Sequence, residues 1–567
     1  MGRKSKNSFV IQGSILAFAG ILVRIIGLIY RIPLTRILGD EGNGYYSTAY
    51  DIYNVLILLS SQSMPLAVSK IVSEKLERRQ YKNAYKIFKG ALFYGAVLGV
   101  SFGLFAFLGA DWLATSVYKS QPAAVALKVL APTLTVACIL GVMRGYFQGM
   151  GNMIPTAISQ VFEQIVNAVV SVIAAYELTV YGVSISKMSK LGESAGPAYG
   201  AAGGTLGTLT GAIAALIVVV IVFWNSYGNI KKPVRKDKTK VEDSYATITK
   251  VIIFTITPVL ISSTIYNISN LLDNPIYGNI VTGIFDVSSK TRAELWGVYS
   301  AKYRVLTTMP IAIASSLSTA IVPAMVRSYI AKDKQGMENK VSLALKFSML
   351  IAFPCGMGLS VLGGPINQLL FGDGSKRTAT IMIFSLLTVV VFSLSTISNA
   401  ILQGIDKLNI PIKNSAISLV LHLIILPVLL IVFRLDIYAV VIGDITFGLT
   451  VSILNAFSIK KHMGYSHDLR ETFLRPFICS AAMGIMCYLA YWLTSKIIPI
   501  NALCTLFAIM VAVIVYAVVL IISGTVTENE LMSVPKGTML IRLLKKVHLL
   551  YYKITEYVKN ICKELKK

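Results

Sequence analysis

Charged side chains stand inside long apolar runs, among them Arg24, Asp51, Lys302, Arg304 and Asp444. A charge at the centre of a membrane helix costs about 2.5–3.5 kcal/mol on insertion scales, so such residues face a wet path or one another. Counted from the outer end of its run, each of those named lies about seven to nine residues deep, or roughly 10–14 Å at the helical rise. Arg24, Asp51 and Arg304 can therefore share one level. A guanidinium is planar, stays protonated and donates paired hydrogen bonds that match the oxygens of a phosphate-type anion. The chemistry these residues suggest is recognition of an anion. Arg24, Arg304 and Lys302 would be its contacts. Asp51 would orient an arginine, with Asn54 three residues on sharing its helix face. Glu163 is a candidate gating or coupling-ion group, and Asp444 a supporting or gating one. The same residues admit a structural reading, in which Arg24–Asp51 is an ion pair between helices and Glu163 pairs two helices. Lys128, near an outer end, is expected to snorkel to the interface.

The elements that must hold these residues are membrane helices. The chain has 567 residues, of which 55% are hydrophobic and 14% charged, with a mean hydropathy of +0.68. A soluble chain would carry about a quarter charged residues. Apolar runs near twenty residues recur from end to end, each long enough to cross about 30 Å of hydrocarbon. Fourteen spans are expected, at 8–31, 45–69, 86–109, 123–144, 155–180, 198–224, 248–272, 295–326, 341–363, 378–402, 411–433, 437–459, 474–495 and 500–523. Ala17-Phe18-Ala19 in the first run imitates a signal-peptide cleavage site, but the run continues past it and is expected to stay. The net charge is +26. With the N-terminus inside, most basic residues fall in cytoplasmic loops such as SEKLERRQYKNAYKIFK (73–89) and KKPVRKDKTK (231–240). That excess sets both termini in the cytoplasm. It also supplies a partner for the charge, namely anionic membrane lipid, with no need for nucleic acid.

One phrase is written twice: GYFQGMGNMIPTAI (145–158) and AILQGIDKLNIPIKN (400–414). In each, Gln-Gly closes a span and a proline opens the next, where its missing N–H costs nothing. The copies lie six spans apart, so both face the cytoplasm, as in a parallel repeat of two six-helix lobes. A second echo pairs SMPLAVSKIVSE in span two with STAIVPAMVRSYIAK in span eight. The expected organisation is an N-terminal lobe 1–224, a basic linker 225–247, a C-terminal lobe 248–460, two additional spans in 461–524 and a cytoplasmic tail 525–567. In that tail, apolar residues from Leu540 to Leu565 recur every three or four positions beside a lysine-rich face, the pattern of an amphipathic helix lying in the interface, with a solvated coiled coil as the alternative because the stripe also fits heptads loosely. Gly95, Gly99, Gly103 and Gly203, Gly207, Gly211 recur at intervals of four, a helix-packing pattern. Pro258 and Pro310 could kink spans seven and eight. Six cysteines form no C-x-x-C pair and four histidines are scattered, so no metal site and no cofactor is expected.

The stretch GVYSAKYRVLTTMPIAIASSLSTAIVPAM (297–325) closely resembles the eighth helix of the stage V sporulation protein B-like and lipid II flippase-like branch of the polysaccharide exporters, in the multidrug/oligosaccharidyl-lipid/polysaccharide exporter superfamily. The Gln-Gly…Pro turns, TITPVLISSTIYNISNLLD (255–273), GAAGGTLGT and TENELMSVPKG (527–537) look similar too. The resemblance implies two lobes around a central cavity, alternating access, and flipping of an undecaprenyl-pyrophosphate-linked saccharide across a bacterial cytoplasmic membrane. It implies cell-wall or polysaccharide synthesis as the setting, with synthesis enzymes as further partners. It carries Arg304 onto the basic position of the span-eight motif and Arg24 onto a first-helix arginine before Gly27. Asp51 does not align with the acidic second-helix position of the best-known members. An enzyme would need acidic or nucleophilic groups on an aqueous loop; the longest outer loop, 273–294, scatters Asp273, Asp286 and Glu294. A multidrug antiporter of the same fold is the alternative, and its cavity for cations should be acidic, whereas this set is mixed to basic. The glycan, the coupling ion or dependence on membrane potential, and the oligomeric state are not written in these residues.

Overall fold

The computed structural model describes residues 3–62, 64–237, 244–407, 409–465 and 468–525. The expected tail helix lies outside them. The described chain is 88% helical, and no strand occurs among the described residues. In chain order the α-helices are α1 (Arg3–Ser60), α2 (Met64–Glu77), α3 (Tyr81–Leu108), α4 (Ala110–Trp112), α5 (Ala123–Gly149), α6 (Ile154–Ser184), α7 (Ala195–Lys236), α8 (Tyr245–Ile284), α9 (Ser289–Gly297), α10 (Arg304–Ile330), α11 (Lys334–Val361), α12 (Gly363–Phe371), α13 (Lys376–Met382), α14 (Ser385–Gly404), α15 (Asn409–Ile431), α16 (Ile437–Met463), α17 (Arg475–Ile497) and α18 (Asn501–Ile522). A wide π turn, Val298–Tyr303, joins α9 to α10.

Eleven helical segments among the described residues are long and apolar enough to cross a membrane. One of them, Phe18–Glu77, is 60 residues long, far more than the roughly 20 that one crossing needs. It bends within α1 at Gly39, whose backbone sits at φ 63° and ψ −176°. That left-handed conformation suits glycine and few other residues. Helix α8, which contains the expected span seven, and helix α10, which carries most of the expected span eight, are not among the eleven. Apolar side chains point outward where lipid would be. Phe93, Val97, Leu104 and Leu108 are exposed along α3, and Leu506, Met510 and Val513 along α18. Large exposed apolar faces of this kind fit a hydrocarbon solvent.

The chain divides into two compact units. The first comprises Met1–Val305, Leu370–Gly372 and Ser415–Phe447; the second comprises Leu306–Leu369, Asp373–Asn414 and Gly448–Lys567. In the first unit α6 packs along α7, and α3 and α7 pack on α5. The glycine ladders make these contacts. A Cβ on Gly99 would come 2.7 Å from Thr135 Cα, and one on Gly211 would come 2.6 Å from the Glu163 carbonyl. Such spacing lets helix backbones approach closely in lipid. Helix α7 runs on to Lys236, so the first half of the basic segment expected as a linker is helix. In the second unit α11 packs on α14 and α17, and α17 on α18.

The repeated phrase makes a matching contact in each unit. A Cβ on Gly149 would press on Val72 of α2, at 2.9 Å. A Cβ on Gly404 would press on Met325 of α10, at 2.7 Å. The two partners lie in the two segments that echo each other in sequence. In the second unit the copy is tied further by asparagines: Asn414 donates to Asn455 at 2.8 Å, and Asn455 donates to Asn399 at 2.7 Å.

Candidate functional site

The charged residues of the first unit converge because α9 is laid against the second half of α1. Two glycines permit it: a Cβ on Gly44 would overlap the backbone of Ala293, and one on Gly297 would overlap that of Asp40. Ser288 caps α9 by accepting from the Thr291 amide at 3.1 Å. The helix start is thereby fixed, and Arg292 one turn later is wholly buried. Its guanidinium donates to Thr48 Oγ1 at 3.3 Å and to the side-chain oxygen of Asn274. The Asn274 amide donates in turn to Asp51 Oδ2 at 2.7 Å. Asp51, on α1, is buried. The positive charges that act on it most strongly are those of Arg304 and Arg292.

Arg304 opens α10 immediately after the π turn and is half-buried. It feels the charges of Asp51, Asp444 and Asp273. Tyr299, inside the turn, donates to Asp444 Oδ2 on α16. On the other side of Asp273 stands His422 of α15, with Nε2 2.6 Å from Asp273 Oδ1 and Nδ1 3.0 Å from the Gly443 carbonyl. Asp273 and Asn274 are neighbours on α8, so the helix serves both networks. Tyr277, Trp296, Tyr299 and Tyr303 stack in a row with centroids 5.0–6.0 Å apart.

Other expected residues fall elsewhere. Lys302, also buried, forms an ion pair with Asp40 next to the Gly39 bend. Arg24 is exposed on the first half of α1, so the pairing that the structure gives Asp51 runs through Asn274, Arg292 and Arg304. Asn54 is exposed while Asp51 is buried. Although only about 60° round the helix from Asp51, Asn54 stands on the exposed side of α1. Glu163 pairs with Arg144 at 2.7 Å, and Arg144 Nε donates to Ser159 at 2.9 Å, a tie between α5 and α6. Lys128, expected to snorkel to the interface, reaches the exposed carboxylate of Asp111 at 2.7 Å. Among the described residues no group of histidine, cysteine or acidic side chains is arranged to hold a metal ion.

The sequence reading missed Arg292, Asp273, Asn274 and His422. It placed 273–294 in an outer loop, because polar residues follow Leu271-Leu272. The structure corrects this: α8 continues to Ile284 and α9 begins at Ser289. Most buried polar groups there pair with one another, although Asp273 Oδ2 and Arg292 Nε are buried without a hydrogen-bond partner. Arg31 was missed too; it lies among Tyr30, Tyr46 and Tyr50, and Tyr50 bonds Thr208. A signal was present in His422, a single histidine in the middle of the apolar run VLHLII.

Comparison with known proteins gives this arrangement a family. A profile described as polysaccharide biosynthesis protein matches residues 10–329, and a second with the same description matches 282–379. The chain is 24% identical over 510 residues to the lipid II flippase MurJ of Bacillus subtilis (strain 168), covering 86% of this chain and 89% of that protein. It is 24% identical over 549 residues to stage V sporulation protein B of the same organism, covering 95% and 100%. Among solved structures, lipid II flippase MurJ in an inward closed conformation superposes with a TM-score of 0.63 at 15% identity, covering 89% of this chain and 97% of that one. An inward-facing multidrug resistance MATE transporter superposes with a TM-score of 0.61 at 14% identity, covering 78% and 94%. By name, MurJ is a flippase and the MATE protein a transporter. With a profile that spans more than half of it, the chain belongs to the polysaccharide biosynthesis protein family.

Proposed function

We propose that this protein flips an undecaprenyl-pyrophosphate-linked saccharide from the inner to the outer leaflet of a bacterial cytoplasmic membrane, by alternating access. The observation that carries the reading is the difference between two similarities. The similarity to a lipid II flippase extends through sequence over most of both chains, whereas that to drug exporters is one of fold, at 14% identity. The site fits an anionic head group. Arg304 is held among carboxylates, and Lys302 is held by Asp40. Arriving pyrophosphate would take over these cations and free the carboxylates, so binding would be coupled to rearrangement of the pairs. Arg24, exposed on the first helix, would add a contact. Asp51 and Asp444 would hold the empty state, and Glu163 would brace α6.

The proposed architecture is fourteen spans, two parallel six-span lobes, two further C-terminal spans and both termini in the cytoplasm. The matching contacts of Gly149 and Gly404 support the repeat. Lipid II accessibility at the outer surface, measured in cells depleted of the protein and then complemented, tests the function. Accessibility should fall on depletion and return on complementation. Unchanged accessibility with a gain in sensitivity to cationic drugs would favour the multidrug antiporter instead.

A further inference from the structure

His422 carries chemistry that anion recognition does not use. Both of its ring nitrogens face acceptors: Nδ1 meets the Gly443 carbonyl at 3.0 Å, and Nε2 meets Asp273 Oδ1 at 2.6 Å. A neutral imidazole has one N–H and one lone pair, so it satisfies only one of these contacts. The arrangement is complete when the pair holds an extra proton, as imidazolium beside carboxylate. His422 is fully buried and Asp273 is 1% exposed. Asp273 Oδ2 is buried without a hydrogen-bond partner, leaving a second acceptor position at the same carboxyl group. Gly443 has no side chain to intrude, and a Cβ there would come 3.0 Å from the imidazole.

The surrounding charges give that proton a role. His422 is faced by Asp273 from α8 and Asp444 from α16, with Phe447 against its ring. Asp444 is met by Tyr299 from the π turn and Arg304 from α10. Beyond Arg304 lie Asp51 of α1 and Arg292 of α9. The connected groups are thus Asp51, Asp273 and Asp444 against Arg292, Arg304 and His422. With the three carboxyl groups counted as ionised, the set is neutral when His422 is protonated and carries one buried negative charge when it is neutral. Burying an uncompensated charge is strongly unfavourable, so the packed arrangement favours the protonated state, and an arrangement that admits water can release the proton.

We propose that the His422–Asp273 pair is a proton-carrying site, and that its proton is bound and released as the transporter cycles. This rests on the transport reading above. In the release step the imidazolium Nε2–H bond breaks, its electron pair stays on nitrogen and the proton passes to water; uptake is the reverse.

Two measurements on the full-length protein test it. In nanodiscs with 15N-labelled histidine, the resonance missing from H422Q should be that of an imidazolium at pH 7.5. In D273N the same resonance should become that of a neutral ring. If H422Q does not fold, the resonance that changes in D273N supplies the assignment. A neutral His422 in the native protein overturns the proposal. In proteoliposomes containing lipid II, an imposed pH gradient should shift the steady-state leaflet ratio by up to about tenfold per pH unit for one coupled proton. That response should vanish in H422Q and D273N. Lipid II movement that ignores the pH gradient, or follows a sodium gradient instead, overturns the coupling. Should lipid II not move at any pH, the transport reading fails, and the proton site is judged by the histidine spectrum alone.

Discussion

At the scale of single residues, the two arginines near Asp51 should behave differently. Arg304 is half-buried at a helix start; Arg292 is wholly enclosed and bonded to Thr48 and Asn274. Arg304→Ala should abolish transport with the protein near normal abundance, and Arg304→Lys should be impaired because lysine lacks the planar fork. Arg292→Ala should remove the protein from the membrane, since breaking a buried charged network costs about 3–5 kcal/mol. Immunoblots of membranes beside a transport assay separate the outcomes; loss of abundance in Arg304→Ala would make that residue structural. Arg304, Lys302 and Asp444 were visible in the sequence because a charge inside an apolar run has few explanations. Arg292 and Asp273 were not. They sit where a run turns polar, and a polar stretch reads as a loop unless its internal hydrogen bonds are known. The partners that decide the matter, Asp51 and His422, lie more than a hundred residues away in sequence.

At the scale of elements, the apolar runs placed most helices, since length and hydropathy are local properties. Helix ends were harder. Helix α7 continues to Lys236 because Lys and Arg favour the C-terminal end of a helix, so a basic stretch is not by itself a linker. The bend at Gly39 and the long α8 were likewise not evident from hydropathy. Glycine spacing did reveal packing, and its cost can be measured. Gly99→Ala drives a Cβ toward Thr135 Cα and should destabilise the protein by about 1–3 kcal/mol. Gly228→Ala, on the exposed part of α7 with nothing within 4 Å of a new Cβ, should be neutral or stabilising by about 0.5–1 kcal/mol. Thermal unfolding in detergent compares the two. Equal melting temperatures would mean that α3 and α5 are not held at the distance described.

For the whole molecule, the net charge of +26 has meaning only with a direction. Concentrated on one side, as the proposed topology has it, the charge would fix the chain in the membrane and set that side against anionic lipid. In a background without native cysteines, a cysteine at Lys232 should be protected from an impermeant external label, and one at Ser288 should react. Strong external labelling at Lys232 would overturn the orientation, and the parallel repeat with it. The central claim, that the chain moves a pyrophosphate-linked saccharide rather than a cationic drug, is tested most directly with purified protein in liposomes. Transbilayer movement of a fluorescent undecaprenyl-pyrophosphate saccharide should be accelerated by the native protein and not by Arg304→Ala, while efflux of a cationic dye stays at the level of empty liposomes. Dye efflux without saccharide movement would contradict the claim.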